Sequence, residues 1–185
     1  MEDVCHGCVH PNVADFKLGT RTYDPLASPE KVAKELGKYP YQAQLGMRLT
    51  GMQIYRATVG AYERFDRFYG RSLTPEMIGG AVAALFGVDA APAPAATLAL
   101  LRGAAAQVAD LLAWFKGQHA VRLFSSSVLL VLDGSVGIAR VRLIDFAHAY
   151  AAAQLPDADD GCVVGLTTLA GILDDLIKKT AAGAP

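Results

Sequence analysis

The sequence has few cysteines, little net charge and no long hydrophobic run, and each shortage excludes a class of protein. Three cysteines in 185 residues cannot form the disulfide framework of a small secreted domain. A formal net charge of −1 creates no overall field that would attract nucleic acid or an anionic membrane. No apolar run reaches the roughly 18 residues of a membrane span, and the amino terminus lacks a basic, apolar signal. We therefore expect an intracellular protein that binds neither nucleic acid nor membranes.

Apolar material for a core is abundant. Hydrophobic residues make up 52% of the chain and charged residues 19%, which is typical of a folded domain and excludes a disordered tail. The length suits a single domain. Strand and helix patterns follow one another without the regular rhythm of βαβ units. We therefore predict an α+β fold in which helices pack against an antiparallel sheet.

Capping residues and apolar periodicity locate the elements. Ser28 followed by Pro29 predicts a helix that runs to about Lys38, and Thr74 followed by Pro75 predicts another. Residues 55–70 are charged and aromatic, which favours a hairpin or loop, and residues 88–96 resemble a linker. The remaining patterns predict strands at residues 12–18, 46–55, 127–132 and 139–146, and helices at residues 98–116 and 161–178.

Two of the cysteines form a C-x-x-C motif with histidines close by. Cys5 and Cys8 lie beside His6 and His10, so half of a zinc site or a redox pair is one interpretation. Zinc usually needs four ligands, commonly from two such pairs, and the sequence has no second pair. Ligand number therefore favours the alternative of two ordinary residues in a loop.

A carboxylate and an ammonium are expected to share one face of the first strand. Asp15 and Lys17 lie two residues apart in that strand, so both side chains project to the same side. Such a pair could accept hydrogen bonds from ribose hydroxyls and neutralise phosphate oxygens of one nucleotide. An isolated D-x-K is more often a surface ion pair, so both interpretations stay open at this point.

A second candidate site lies at the end of a later strand. Asp145 follows the strand R-V-R-L-I and is flanked by apolar residues, a position from which a carboxylate could hold Mg²⁺. A turn-capping aspartate would look the same in the sequence. Three serines, Ser125, Ser126 and Ser127, precede the neighbouring strand and could position a metal or its waters, although such a run also occurs at ordinary strand entries.

Three lysines are spaced to share a helical face. Lys31, Lys34 and Lys38 lie at offsets of three and seven in the helix predicted to begin at Pro29. A lysine stripe can bind the clustered phosphates of a small ligand. A solvated helix face is the alternative, since Glu30 and Glu35 lie on the same helix.

These motifs occur together and in a fixed order, and in that combination the chain resembles the inositol polyphosphate kinase family. The order is P-x-x-x-D-x-K-x-G at residues 11–19, serines before the strand at 128–133, I-D-F-A-H at 144–148, and D-D-G-x-x-x-G-L at 159–166. The segments at residues 22–31, 38–40 and 69–74 are most similar to the multikinase branch. The resemblance implies the carboxy-terminal lobe of the family's protein-kinase-like fold.

The resemblance also implies roles in nucleotide binding and catalysis. The segment Glu2, Asp3 and Val4 would bind adenine through its backbone, and Asp15 would hold the ribose of ATP. Lys17 would contact both the transferred phosphoryl group and the substrate.

Metal and substrate roles follow from the same resemblance. Asp145 would bind Mg²⁺, with Ser127 and Ser126 nearby, and His148 would lie close to the metal and the substrate. The helix carrying Lys31, Lys34 and Lys38 would face the inositol phosphates. Near Lys34 and Glu35 the multikinases have glutamines that help to read the substrate, so this chain departs from them there.

Two functional hypotheses result. The first is a kinase that transfers the γ-phosphoryl group of ATP to a soluble inositol tris- or tetrakisphosphate, acting as a monomer in the cytoplasm, the nucleus or both. Family members carry an amino-terminal ATP lobe with a lysine that grips the phosphates, and we expect that lobe to be absent here. The second hypothesis is therefore a non-catalytic lobe that binds inositol phosphates or a protein partner.

Overall fold

The computed structural model describes residues 3–88, 95–155 and 161–183. Its strands in chain order are β1 (Asn12–Leu18), β2 (Met47–Arg56), β3 (Ala61–Phe65), β4 (Val121–Leu123), β5 (Ser127–Asp133), β6 (Ile138–Ile144) and β7 (Ala149–Ala151). Its helices are α1 (Pro29–Leu36), α2 (Gln42–Leu45), α3 (Arg67–Ser72), α4 (Pro75–Phe86), α5 (Ala95–Gly117) and α6 (Gly161–Ala182), and a 3₁₀ turn spans Ala152–Gln154.

An antiparallel sheet of five strands, in the order β3-β2-β1-β5-β6, forms the centre of the domain. Helices α4 and α6 pack on β1 and β2, while α5 packs on α6 and β6. The short strands β4 and β7 form a separate antiparallel pair. This arrangement confirms the prediction of an α+β fold with helices packed against an antiparallel sheet.

Strand β1 shows how alternation in the sequence separates core from site. Ala14, Phe16 and Leu18 are fully buried on the side where the helices pack. Asp15 and Lys17 project to the opposite side, as the two-residue period of a strand requires. The core therefore lies beneath the sheet and leaves the other face of β1 available for polar side chains.

Helix α1 begins where its capping residues predict and ends earlier than expected. The Ser28 hydroxyl accepts a hydrogen bond from the Lys31 amide at 3.3 Å, and Pro29 occupies the first turn. The helix ends at Leu36, and the Gly37 amide donates to the Ala33 carbonyl. The expected extension to Lys38 is wrong, because the glycine and the proline at position 40 both disfavour a further turn.

The sequence patterns missed the short elements. Residues 55–70 were expected to form a hairpin or loop, but only the β2–β3 hairpin fits that expectation, and α3 follows it. The Asp66 carboxylate caps α3 by accepting from the Phe68 and Tyr69 amides. Strands β4 and β7 depend on a pairing between distant segments, which no local pattern reports.

Element ends also differ from the expectations. The linker expected at residues 88–96 lies largely outside the described residues, although α5 already begins at Ala95. Helix α6 extends to Ala182, beyond the expected end at residue 178. Strand β6 ends at Ile144 rather than 146, because Asp145 adopts a left-handed backbone conformation with φ of 64°.

Helix α5 is long and apolar enough to cross a membrane when judged by length and composition alone, with a mean hydropathy of 1.3. That is a weak indication, since core helices of folded domains pass the same test. One face of α5 carries Leu101, Ala104 and Val108, which are fully buried within the domain. The helix therefore contributes directly to the core beside α6 and β6.

A buried aspartate attaches the segment before β1 to the β5–β6 hairpin. The Asp133 carboxylate accepts hydrogen bonds from the amides of Val9 (2.6 Å), His10 (2.7 Å) and Ser135 (2.9 Å). Burial alone would raise the pKa of Asp133, but the hydrogen bonds from Ser135, His10 and Val9 lower it below its ordinary value of 3.8. The carboxylate is therefore ionised at neutral pH.

Asp133→Asn should destabilise the domain by about 1–3 kcal/mol at pH 7, because an amide cannot accept all these hydrogen bonds and one N–H donor would face another. A carboxylate whose pKa is lowered on folding stabilises the folded chain above its unfolded pKa, and this contribution disappears as pH falls through the folded value. The difference between the two proteins should therefore shrink below about pH 4. Urea denaturation at several pH values measures it, with the exposed Asp175→Asn as control; a pH-independent difference would contradict the assignment.

Candidate active site

The face of the sheet opposite the helices carries the D-x-K pair of the first strand. Lys17 lies directly across from Ser127 of β5 and Arg48 of β2. Its ammonium donates to the Ser125 carbonyl at 2.7 Å and lies 3.9 Å from the Asp145 carboxylate. The Lys17 side chain is 19% exposed, and burial lowers its pKa although the Asp145 carboxylate acts in the opposite direction. The ammonium is thus partly desolvated and held at the end of the strand.

Asp15 lies beside Lys17 with an acceptor atom left free. Its Oδ1 atom is buried and has no hydrogen-bond partner within the described parts of the chain. An unpaired buried oxygen costs free energy, so such an atom is a candidate for a bond to a ligand. The prediction that Asp15 and Lys17 share a face is confirmed, whereas the ion partner of Lys17 is Asp145.

Asp145 is placed by an unusual backbone. Its φ of 64° is uncommon for a residue other than glycine, and strain of this kind gathers at functional sites. The Ser126 hydroxyl donates to the Asp145 carbonyl at 2.9 Å and stabilises the turn. The carboxylate is 59% exposed and points to the side where the Lys17 ammonium lies.

The three serines have three different surroundings. The Ser125 hydroxyl donates to the Thr22 carbonyl at 2.9 Å, and Ser126 supports the Asp145 turn. Ser127 is fully buried, and its hydroxyl has no partner among the described residues. Ser127 is therefore the serine whose buried hydroxyl makes no hydrogen bond within the described part of the chain, and its place near a metal stays a prediction.

The oxygen atoms present suit a magnesium ion that is held mainly by phosphates. Mg²⁺ in phosphoryl-transfer enzymes binds one or two carboxylates together with substrate phosphates and water. Asp145 supplies an exposed carboxylate, and Ser127 supplies an unpaired hydroxyl. Within the described residues no group of three His, Cys, Asp or Glu side chains could hold a metal on its own. The predicted ligands Asp145 and Ser127 thus fit a metal that depends on a nucleotide.

Two cavities flank these residues on the same side of the sheet. One of about 630 Å³ is lined by Asp3, Val4, Asp145 and neighbouring residues of β6. The other, of about 620 Å³, is lined by Asp15 and residues of β2 and β3. The structure therefore brings Asp3 and Val4 together with Asp145 in one cavity, while the predicted contact residue Glu2 lies outside the described residues.

Arg140, which the sequence did not single out, fixes the segment that lines the first cavity. Its guanidinium donates to the carbonyls of Val4 (2.6 Å) and His6 (2.7 Å). These bonds connect strand β6 with the chain just before β1. An arginine in a strand gives no local sign of such a role, since its carbonyl partners lie far away in the sequence.

The expected lysine stripe is largely neutralised by carboxylates. Lys31 lies 3.4 Å from Asp24, and Lys38, which lies beyond the end of α1, forms an ion pair with Glu35. Lys34 remains exposed. The prediction of three lysines on one helical face is therefore wrong for Lys38, because the helix ends at Leu36.

Glu35 also joins α1 to the sheet. It accepts from the Thr22 hydroxyl at 2.8 Å and lies 3.7 Å from the guanidinium of Arg48. Arg48 is almost fully buried, donates to the Gln42 side chain at 2.9 Å and sits opposite Lys17. This buried arginine beside the candidate site is the second residue that the sequence analysis did not select. Its neighbours in the sequence, Met47 and Leu49, give no indication that its ion partner is Glu35.

His148 is oriented by a carboxylate from another part of the chain. Its Nδ1 atom lies 3.2 Å from Oδ2 of Asp24, the same oxygen that Lys31 approaches. His148 follows Asp145 by three residues, and its carbonyl accepts from the Phe124 amide. Asp24, which the sequence analysis did not select, thus brings the predicted site residues Lys31 and His148 together.

The C-x-x-C motif forms a turn with free thiols. The Cys8 amide donates to the Cys5 carbonyl at 3.0 Å, and both cysteines are unpaired. Burial raises the pKa of each thiol, which disfavours the reactive thiolate. The His10 ring stacks on Tyr55 with centroids 3.8 Å apart. The motif fits the interpretation of ordinary loop residues.

Similar sequences and a matching family model are found among known proteins. The family model for inositol polyphosphate kinase matches residues 1–174. The chain is 34% identical to human inositol polyphosphate multikinase over 135 residues, which are 73% of this chain and 32% of that protein. It is 31% identical to mouse inositol hexakisphosphate kinase 3 over 201 residues, covering 95% of this chain and 50% of that protein. The chain thus spans a third to a half of the length of these relatives.

Solved structures show the same fold. An inositol phosphate multikinase superposes with a TM-score of 0.81 at 24% identity, covering 94% of this chain and 83% of that one. The multikinase Ipk2 of S. cerevisiae, in complex with ADP and Mn²⁺, also superposes with a TM-score of 0.81, at 23% identity and over 94% of this chain and 81% of that one.

Proposed function

Because this chain belongs to the inositol polyphosphate kinase family, we propose that it provides the catalytic face of an ATP-dependent kinase that phosphorylates a soluble inositol tris- or tetrakisphosphate. The observation that carries the proposal is the juxtaposition of three groups on one face of the sheet. Asp15, whose buried Oδ1 has no hydrogen-bond partner among the described residues, shares one face of β1 with the partly desolvated Lys17, and the Lys17 ammonium lies 3.9 Å from Asp145. Such a set offers an acceptor for hydroxyls, a positive charge for phosphate oxygens and a carboxylate for a metal.

In the proposed nucleotide complex, the acceptor atom of Asp15 would bind the ribose. Asp15 Oδ1 would accept hydrogen bonds from the ribose hydroxyls, which would satisfy an atom that is otherwise unpaired. Asp3 and Val4 line the cavity next to Asp145, and their backbone would contact the adenine. Ipk2 of S. cerevisiae, which shares this fold, was solved in complex with ADP, which supports the proposal that this chain binds a nucleotide.

Lys17 would act on the group that is transferred. Phosphoryl transfer relies mainly on positioning and on stabilising charge over the equatorial oxygens. The Lys17 ammonium is held by the Ser125 carbonyl and faces Asp145, so it is already oriented before substrate arrives. A divalent metal held by Asp145, with Ser127 nearby, would supply further neutralisation of phosphate charge when bound.

The substrate would meet the side of the site that carries α1 and His148. Lys31 and His148 are both partly exposed, and the exposed Lys34 adds a charge next to them. Phosphate groups bind lysine as a point charge and bind the ring N–H of histidine by hydrogen bonding. An inositol polyphosphate offers several phosphates on one small ring, and this spacing suits a cluster of separate cations.

Asp145→Asn should remove turnover, because an amide cannot hold the metal as a carboxylate does. We expect ATP consumption in the presence of inositol trisphosphate or tetrakisphosphate to fall by about 10²–10³-fold or more. The control is Asp175→Asn, an equally conservative change at an exposed position of α6. Near-normal turnover of a folded Asp145→Asn protein would refute the metal role.

A second candidate function is inositol phosphate binding without catalysis. The observation in its favour is that the cations of α1 and His148 do not depend on a nucleotide for their position. Calorimetry with inositol trisphosphate alone would show binding, while the ATP assay would show no turnover above the Asp145→Asn control. Changing Lys31, Lys34 and Lys38 together should then abolish the binding; unchanged affinity would refute this candidate.

A further inference from the structure

Asp24 has the surroundings of a functional carboxylate, although no motif marks it. It lies in the loop between β1 and α1, and its side chain is only 5% exposed. Oδ1 accepts from the Leu26 amide at 2.9 Å. Oδ2 lies 3.4 Å from the Lys31 ammonium and 3.2 Å from Nδ1 of His148. Burial and the nearby Asp24 carboxylate raise the pKa of Tyr150 in β7.

A buried carboxylate in a loop needs such partners. Burial raises the pKa of Asp24, but hydrogen bonds from the Leu26 amide and Lys31, together with the electrostatic effect of the neighbouring basic groups, outweigh this effect and lower it. The group is therefore ionised at neutral pH and attracts the two basic side chains. Both remain about 40% exposed, with side-chain exposures of 42% for Lys31 and 38% for His148. Their remaining donors can thus still reach a ligand.

The three partners come from separate parts of the fold. Lys31 lies in α1, His148 lies in the loop after Asp145, and Tyr150 lies in β7. Asp24 therefore joins the helix on one side of the site to the segment that carries Asp145 on the other. With Nδ1–H directed at the carboxylate, Nε2 of His148 is the ring atom left to face a ligand, and it donates to a phosphate oxygen when the ring carries both protons.

We propose that Asp24 is a positioning residue that holds Lys31 and His148 as a preorganised pair of phosphate-binding groups. This inference rests on the proposed function, since the ligand is the inositol polyphosphate of that same site. The carboxylate does not touch the ligand. It fixes which ring nitrogen of His148 faces the phosphate and keeps the Lys31 side chain from swinging into solvent, which reduces the entropy lost on binding.

Asp24→Asn tests the role with little change of shape. We expect the affinity for inositol trisphosphate, measured by calorimetry, to fall by about 10- to 100-fold, the range found for carboxylates that orient a ligating histidine. The affinity for ADP should change by less than about twofold, because Asp24 contacts none of the residues assigned to the nucleotide. Asp175→Asn, the same change at an exposed position of α6, is the matched control and should bind inositol trisphosphate normally.

The ¹⁵N NMR spectrum of the His148 ring distinguishes a positioning role of Asp24 from a general loss of structure. In the wild type, ¹⁵N resonances of His148, assigned by comparison with His148→Gln, should show the proton on Nδ1 engaged with a carboxylate and Nε2 shifting on addition of inositol trisphosphate. In Asp24→Asn this selective response of Nε2 to inositol trisphosphate should be lost. If Asp24→Asn does not fold, the wild-type spectrum decides alone, and a response at Nδ1 instead of Nε2 would overturn the proposal.

The outcomes also separate this inference from the proposed function. Binding of inositol trisphosphate by the wild type and equally by a folded Asp24→Asn protein would refute the positioning role only. An equal loss of ADP and inositol trisphosphate affinity would also refute it, because this would show a general structural effect. A wild type that binds no inositol phosphate would refute the proposed function, and the His148 spectrum would still show whether Asp24 orients the ring.

Discussion

Gly165→Ala should destabilise the domain by about 3 kcal/mol or more, because the added methyl group would enter the backbone of another element. A Cβ atom at Gly165 in α6 would lie 2.1 Å from the carbonyl oxygen of Gly46, which precedes β2. Gly46 has a φ of 61° and ends α2, so its backbone has little freedom to move away. The close approach lets α6 pack directly on the turn that leads into the sheet.

Gly171→Ala is the matched control on the same helix. A Cβ atom at Gly171 would have no heavy atom within 4 Å, and alanine favours a helix over glycine by roughly 0.5–1 kcal/mol. We therefore expect the two substitutions to change the free energy of unfolding in opposite directions. Urea denaturation followed by circular dichroism measures both. Equal effects at the two positions would show that the contact between α6 and Gly46 is not tight in solution.

Lys17→Met should lower the turnover number by about 10²–10³-fold, the usual effect of removing one preorganised group that stabilises the transition state. Methionine keeps most of the length and the apolar stem of lysine, so the strand should remain intact. The substitution removes the positive charge that lies 3.9 Å from Asp145 and 2.7 Å from the Ser125 carbonyl. It leaves the Asp15 carboxylate, and therefore the proposed ribose contact, in place.

The kinetic pattern distinguishes catalysis from binding. If Lys17 acts on the transferred group, the turnover number should fall far more than the affinity for ADP. Lys178→Met is the control, because this lysine is exposed on α6, where it forms an ion pair with Asp175. A Lys17→Met protein with a normal turnover number and weaker ADP binding would assign Lys17 to ground-state nucleotide binding instead.

Much of the fold followed from local patterns. The alternation of residues 12–18 predicted both the strand and the shared face of Asp15 and Lys17. The Ser28–Pro29 and Thr74–Pro75 pairs predicted the starts of α1 and α4. These features depend on hydrogen bonds and steric preferences between residues close in sequence, so the local pattern is sufficient to find them.

Electrostatic partners could not be found in this way. Lys31, Lys34 and Lys38 looked like a free stripe, yet Lys31 faces Asp24 and Lys38 faces Glu35. The Asp24 carboxylate and the buried Arg48 gave no sign of their roles. A charged residue close in sequence does not always form an ion pair with the residue considered. The direction and the burial of its side chain decide whether it does.

The sequence by itself determined the family, the central strand with its two-sided alternation, and the identity of Asp15, Lys17 and Asp145 as candidate site residues. The tertiary structure alone decided that Lys17 meets Asp145 and the Ser125 carbonyl, which lies 108 residues away in the chain. It also decided that Ser127, and not Ser125 or Ser126, keeps an unpaired hydroxyl. The physical reason is that local periodicity determines on which face of a strand a side chain lies. The register between strands and the path of the connecting loops determine which distant residues it contacts.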